Sequence, residues 1–386
     1  MKEVDKMTEM NKTEEMNKMK EENKMEKVNK MKEFPLIKIK GSTPHERGMQ
    51  YGMQAKEMII ACIESYKMHF QKIAGVTWEE IKEKSILYSK LAESEMPDIL
   101  EEAKGVALGA GVDFSDIMAL NCRYEVLNHP LKGDNAEGNE CTAYAILAEA
   151  MEDGRMIFGQ NWDYRPFTLN NTLLLHIEEE DGTRIMGLAE AGSLMRNGFN
   201  TRGVGLCANS LRSKYDSYEI GLPTTFLRRR ILKSHSFEEA EKLVMNWNRS
   251  VSNNILIVAK SGLAIDFEVT PKNAYKILPD KGIVTHANHF LVDRTVEASK
   301  SSKFRGERLE ELLKKKHGKI TIDYVKECLQ DHQGWPNSIC SHIPPDCDDI
   351  NMQWQTNASM IYDFTDNKLH LCYGPPCEGT YLSYQL

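Results

Sequence analysis

The segment from Cys141 to Asp163, CTAYAILAEAMEDGRMIFGQNWD, constrains the architecture of this chain more than any other. Residues 141–147 and 156–159 are apolar runs of strand length, and Glu152-Asp153-Gly154 between them is turn chemistry, so the stretch predicts a hairpin. A hairpin returns its two ends to one place. Cys141 therefore meets the polar segment Asn161-Trp162-Asp163, and a nucleophilic sulfur gains a neighbouring carboxylate. Asn139-Glu140 precede the cysteine in a Gly/Asp/Asn-rich stretch, residues 132–138, which reads as a loop where the chain can be cut.

The sequence changes period on either side of Cys141. Upstream, an apolar/charged alternation predicts a strand over residues 34–40. Thr43-Pro44-His45-Glu46 then reads as a capping box with proline in the first helical position, opening a helix through about Phe70. Thr77-Trp78-Glu79-Glu80 repeats the signal, and residues 96–110 form a third helix closed by Gly111. Downstream, strands are expected over 172–178, 184–189, 203–207, 254–258, 264–269, 358–364 and 369–373, with helices near 224–233, 237–247, 303–316 and 322–329. Blocks of helix beside strands with antiparallel-style turns predict an α+β layered fold, not a βαβ repeat. Residues 1–33, built from Lys, Glu, Asn and Met with repeated Asn-Lys-Met pieces, read as a low-complexity, disordered tail.

Composition narrows the class of function. A net charge of −8 leaves no basic excess for phosphate backbones, which excludes a general nucleic-acid partner. No run of about 18 apolar residues exists and no signal-length apolar stretch opens the chain, so a cytoplasmic protein without a membrane partner is expected. Nine cysteines, an odd number scattered along the chain, read as reduced thiols. Cys340, Cys347, Cys372 and Cys377 with His342 come nearest to a metal set, but they lack the short paired spacing of structural zinc sites. No metal and no resident cofactor is expected, and small-molecule chemistry remains.

Three motifs in order, Cys141-Thr142-Ala143-Tyr144, Gly159-Gln160-Asn161-Trp162-Asp163 and Thr285-His286-Ala287-Asn288-His289-Phe290, resemble the isopenicillin-N acyltransferase family of N-terminal-nucleophile (Ntn) hydrolases. Members of that family cleave themselves before a cysteine. Glu46-Arg47-Gly48-Met49-Gln50-Tyr51-Gly52 resembles its first helix, Glu101-Glu102-Ala103-Lys104-Gly105-Val106-Ala107-Leu108-Gly109 a second, and Gly374-Pro375-Pro376-Cys377 its closing turn, so the resemblance runs from about Phe34 to the C-terminus. It implies a four-layer αββα sandwich, with a helical pro-segment or small subunit over 34–140 and a large subunit over 141–386, together one globular domain. It further implies self-cleavage of the Glu140–Cys141 bond. By the same resemblance Asp163 holds the freed α-amine, and Asn254, with Asn253 one place away, donates to the oxyanion. Arg305, or Arg308 one helical turn on, is the active-site arginine. Two positions depart from the pattern: Glu140 stands where glycine is common, and Gln160 stands where the related bile-salt and penicillin V hydrolases carry arginine, which argues against those substrates.

The chemistry needs a base. An ordinary cysteine, with a pKa near ~8.5, is largely protonated at neutral pH. Once the bond before Cys141 is cut, the new α-amine, with a reference pKa of about 7.7–8.0, lies on the same residue and can take the thiol proton. A papain-like alternative pairs Cys141 with the downstream His286 and Asn288, whereas a blander reading makes residues 285–290 a strand end that packs the core or lines the pocket. Arg228-Arg229-Arg230 and Lys233 form a cationic helix segment, either a solvated face or a seat for the phosphates of an acyl-CoA co-substrate. The expected activity is hydrolysis of a linear amide through a Cys141 thioester. The alternatives are an acyl-CoA-dependent N-acyltransferase and an unprocessed, ligand-binding member.

Overall fold

Thr43 caps the first helix as its sequence predicts, its hydroxyl accepting from the Glu46 N–H at 3.1 Å. The computed structural model describes residues 32–128, 141–217, 219–298, 303–350 and 352–386, so Glu140, the loop before it and residues 1–31 of the low-complexity segment lie outside the described residues. Phe34–Leu386 forms one compact unit. Helices α1 (Pro44–Gln54), α2 (Lys56–Ala74), α3 (Trp78–Glu95), α4 (Pro97–Ala110), α5 (Phe114–Asn121) and α6 (Arg123–Asn128) precede Cys141. The single helix expected from Pro44 to about Phe70 is therefore two, separated at Ala55 (φ −104°, ψ 12°).

The two halves pack on different partners. Helix α1 lies so close to α4 that a Cβ on Gly48 would stand 2.0 Å from the Glu102 carbonyl oxygen, and one on Gly105 would stand 2.2 Å from that of His45. Only glycine permits this approach. Helix α2 instead packs on the turn Pro166–Asn171, with Tyr66 edge-on to Phe167. At Thr77 the capping box closes from both sides, whereas Glu46 turns its carboxylate to the Ser42 N–H at 2.9 Å.

Beyond Cys141 the strands, numbered along the chain, form two sheets. The first runs β1 (Leu36–Lys40), β4 (Thr172–Glu178), β5 (Arg184–Glu190), β6 (Gly198–Asn200), β7 (Val204–Ser210), β8 (Asn253–Ala259), β9 (Leu263–Val269) and β10 (Ala274–Ile277). The second runs β11 (Ile283–His286), β2 (Thr142–Ile146), β3 (Ile157–Tyr164), β12 (Gln355–Asp363), β13 (Lys368–Tyr373) and β14 (Tyr381–Gln385). Strand β1 pairs parallel with β4, and the other pairings are antiparallel. Strands β2 and β3 face β7 and β8 across the interior. Helices α7 (Thr224–Leu232) and α8 (Phe237–Asn246) cover β7 and β8, while α9 (Phe304–Lys314), packed on α10 (Ile322–Leu329), covers β11 and β2.

Helix, sheet, sheet, helix is the four-layer α+β sandwich that the resemblance implies. Because β2 and β3 are covered on both faces, every residue of both strands is buried, the polar Gln160, Asn161 and Asp163 of β3 included. Among the described residues no helix is long and apolar enough to cross a membrane.

Candidate active site

Strands β2 and β3 pair Thr142 with Asn161, which sets Cys141 beside Trp162 and Asp163. Its Sγ lies 3.7 Å from the Asp163 carbonyl oxygen. The backbone N–H of Cys141 donates to Asn288 Oδ1 at 2.5 Å, and Arg305 Nη2 donates to the same oxygen at 3.2 Å. Asn288 is held in turn by donating to the Ser210 carbonyl oxygen at 2.9 Å, at the end of β7. Arg305, the second residue of α9, is fully buried, whereas Arg308 one turn on pairs with Asp331 at 2.8 Å and Glu311 at 3.0 Å. Arg305 is thus the arginine that shares the Asn288 oxygen with Cys141. Thr356, opposite Asp163 on β12, donates its hydroxyl to Asp163 Oδ1 at 2.6 Å. Cys141, Asp163, Asn288 and Arg305 are brought together; Glu140 lies outside the described residues.

Burial pushes the Cys141 thiol up to about 11, the Asp163 carboxylate adds to this, and Arg196 and Arg305 oppose it. In this state the sulfur is a thiol. Arg196 stacks over the Trp162 ring at 4.3 Å and pairs with Glu190 at 2.9 Å, a carboxylate it shares with Arg123. Arg228 on α7 is also buried. Its Nη2 donates to Asn253 Oδ1 at 2.8 Å, and its guanidinium lies 5.5 Å from the Tyr124 ring centroid. Its Nε and Nη1 have no partner among the described residues. Burial, with Arg196 and Arg123 beside it, brings Arg228 down to about 10, and the neighbouring Cys141 opposes that shift.

The rest of the cationic segment is paired within the protein. Arg229 is buried against Glu102, at 2.8 Å, and Glu179, while Arg230 and Lys233 both reach Asp98, at 2.8 and 2.6 Å. Carboxylates already engage these three cations.

Asn254, expected as the oxyanion donor, faces elsewhere. Its amide nitrogen donates to Asp266 Oδ1 at 2.6 Å and to the Phe267 carbonyl oxygen at 3.3 Å, which engages both of its N–H bonds. Its oxygen accepts from Asn209 at 2.8 Å, and Asn209 accepts from Gln160 at 2.7 Å. Gln160 also accepts from Asn197 at 3.2 Å, so the buried position read against arginine is filled by an amide network between the sheets. One place earlier, Asn253 accepts from Arg228 through its Oδ1 at 2.8 Å, a contact that does not use its amide N–H bonds.

His286 is not placed as a base. Its Nδ1 meets the Ala287 carbonyl oxygen at 2.7 Å and its Nε2 meets the Glu268 carboxylate at 3.0 Å, acceptors that call for a proton on each nitrogen. Although burial disfavours the cation, Asp266 and Glu268 outweigh it and raise the imidazole above its ordinary value. No lone pair is left for the thiol. The bland reading of residues 285–290 as a strand end is the one the fold produces, with Asn288 of that segment accepting from the Cys141 N–H.

Sequence reasoning did not single out Arg196 or Thr356, neither of which carries a local motif. It also judged spacing too long for a metal, yet the fold brings Cys340, His342 and Cys377 together with His332, leaving Cys347 and Cys372 outside the set.

Residues 150–378 match the family model described as acyl-coenzyme A:6-aminopenicillanic acid acyl-transferase. The chain is similar to the acyl-coenzyme A:6-aminopenicillanic-acid-acyltransferase 40 kDa form of Emericella nidulans, 26% identical over 340 residues that cover 86% of this chain and 91% of that one. Among solved structures it is similar to a variant of the conjugated bile acid hydrolase of Clostridium perfringens, at 12% identity and a TM-score of 0.45 over 64% of this chain and 97% of that one. A Caenorhabditis elegans ortholog of N-acylethanolamine-hydrolyzing acid amidase is similar at 16% identity and a TM-score of 0.42, over 57% and 92% of the two chains. The family match spans more than half of the sequence and takes in Asp163, Asn288 and Arg305: the chain belongs to the acyl-coenzyme A:6-aminopenicillanic acid acyl-transferase family.

Proposed function

We propose that this protein is a self-processing Ntn acyl-transfer enzyme that works through a thioester on Cys141. The observation that carries the reading is the Cys141 backbone nitrogen held on Asn288 Oδ1 at 2.5 Å, with the sulfur of the same residue beside Asp163. That nitrogen is the atom that becomes the α-amine. Sγ attacks the Glu140 carbonyl carbon; the C–S bond forms, the C–N bond breaks, and the thiol proton ends on the nitrogen. Water then hydrolyses the thioester to a Glu140 carboxylate and a free thiol. In the uncut chain burial keeps the thiol protonated, so attack is confined to the carbonyl already in place.

In turnover the α-amine takes the Cys141 proton, the sulfur attacks the substrate acyl carbon, and the leaving amine departs with that proton. Water then releases the acid. Asn288, positioned by Arg305 and Ser210, holds the nitrogen, and Asp163, held by Thr356, favours its ammonium form through a charge-assisted contact. Hydrolysis of a linear amide in a reducing, cytoplasmic setting is the first reading. Transfer from acyl-CoA to an amine is the second, and the family match supports it.

Arg228 bears on substrate class. A buried guanidinium with two unengaged nitrogens, close to the nucleophile, favours a substrate that carries an anionic group such as a carboxylate. The test is to incubate the processed enzyme with N-acyl amino acids, neutral N-acyl amides, and acyl-CoA with and without an amine, mapping any acyl adduct by peptide mass. An adduct on Cys141 and faster turnover of the carboxylate-bearing amides are expected. Acyl-CoA consumption only in the presence of an amine selects the second reading, and an adduct on no substrate overturns both.

A further inference from the structure

The loop between α10 and β12 and the turn between β13 and β14 carry four side chains whose polar ends converge. His332 Nε2 lies 3.1 Å from His342 Nε2, and the sulfurs of Cys340 and Cys377 lie 3.4 and 3.3 Å from that same nitrogen. The two sulfurs are 3.6 Å apart, and all four ligand atoms fall within 4.8 Å of one another. Hydrogen bonding does not account for this cluster. A single imidazole nitrogen either donates one proton or offers one lone pair, so it satisfies one of the three atoms gathered round it. One cation satisfies all four.

The dimensions suit a particular ion. A tetrahedron with zinc–sulfur bonds of about 2.3 Å and zinc–nitrogen bonds of about 2.0–2.1 Å has edges of roughly 3.3–3.8 Å. The closest pairs here are 3.1 to 3.6 Å apart. A second observation points the same way. His342 Nδ1, the nitrogen outside the cluster, lies 3.4 Å from the carboxylate of Glu378, the residue after Cys377. A carboxylate on the far ring nitrogen draws the proton there, leaving the Nε2 lone pair to a metal. Cys377 and His332 are exposed, which gives the ion a way in.

We infer that His332, Cys340, His342 and Cys377 form a structural zinc site, closed by four protein ligands. Binding releases the two thiol protons to solvent and ties the loop before β12 to the turn before β14. The catalytic side feels this tie. Ser341, between two of the ligands, exchanges hydrogen bonds with Thr356, its N–H donating to the hydroxyl at 2.9 Å and its carbonyl accepting from the backbone at 3.0 Å. Thr356 is the residue that donates to Asp163. The ion therefore positions the Asp163 carboxylate through two intervening residues, Ser341 and Thr356, and takes no part in the chemistry.

Metal analysis of the full chain, purified without chelator under reducing conditions, tests the inference independently of any activity. About one zinc per chain is expected, lost in Cys377→Ser and His332→Ala, both at exposed ligands, and kept in Cys347→Ser, a cysteine outside the set. Cobalt replacing zinc should give the intense visible absorption of a tetrahedral thiolate site together with sulfur-to-metal charge transfer. Removal of the metal should lower the thermal midpoint of the wild type and leave that of His332→Ala unchanged. Three results would each overturn the site: no stoichiometric metal after zinc supplementation, a weak octahedral cobalt spectrum, or a Cys340–Cys377 disulfide in protein kept reduced throughout.

Discussion

Helix α7 places two arginines side by side and gives them opposite fates. Arg229 is buried with two carboxylates, Glu102 and Glu179, and Glu179 is shared with Arg47 at 2.7 Å. Arg228 is buried just as deeply, yet its hydrogen-bond partner is one amide oxygen, with the Tyr124 ring beside it and two nitrogens making no hydrogen bond. Charge compensated inside the protein holds α7 onto α4 and the outer strands. A cation near Cys141 that no carboxylate hydrogen-bonds carries a cost that a bound anion would relieve.

Substitution separates the two. Arg229→Met leaves Glu102 buried without its cation and Glu179 with Arg47 as its remaining close partner, and is expected to cost about 3–5 kcal/mol of stability, read by urea unfolding. A loss below about 1 kcal/mol would place Arg229 with the weak surface pairs and dissolve the contrast. Arg228→Met is expected to change stability less than Arg229→Met does, because no carboxylate hydrogen-bonds to its guanidinium, although the buried Glu125 loses a favourable charge. It should lower kcat/KM for carboxylate-bearing amides about 10- to 100-fold, the equivalent of about 1.5–3 kcal/mol for hydrogen bonds to a charged group, with neutral amides little affected. Equal losses on both substrate classes would assign Arg228 to the architecture of the site instead.

Asn254→Ala sharpens the comparison within the amide network. With both N–H bonds engaged by Asp266 and Phe267, the residue should contribute about 1–3 kcal/mol to stability and change kcat by no more than about threefold. A fall in kcat of about 10²–10³ would return it to the oxyanion role. The pH profile separates the bases. An α-ammonium cannot accept the thiol proton, so kcat should rise with pH to a plateau above about 7.7–8.0, dropping tenfold per unit below that. His286, whose neighbours favour the imidazolium, predicts no such limb from a neutral imidazole, and its conservative replacement by glutamine should leave the midpoint of the profile in place.

Local chemistry was legible in the sequence and direction was not. The Cys141 hairpin, the caps at Thr43 and Thr77 and the Gly111 stop (φ 69°) depend on residues within a few positions of one another, and each formed where the sequence placed it. The bend at Ala55 depends on what α1 and α2 each pack against, and a helical pattern cannot display that. Arg228 and Arg229 are adjacent letters in a basic run. Only α4 and β4, which bring Glu102 and Glu179 to one of them, tell them apart. Asn254 was found as a residue, but its amide direction is set by Asp266 on the neighbouring strand. His332 and Cys377 are separated by most of two strands and a long loop, so spacing hid the cluster that the second sheet assembles.

Every functional assignment at Cys141 depends on its nitrogen becoming an amine. Intact mass of the purified wild type beside Cys141→Ala, with N-terminal sequencing of any fragment, measures that directly. Two chains are expected from the wild type, the larger beginning at Cys141, and a single full-length chain from the variant. A wild-type chain that stays whole after prolonged incubation while still turning over substrate would contradict the mechanism, since the base would then have to come from another residue.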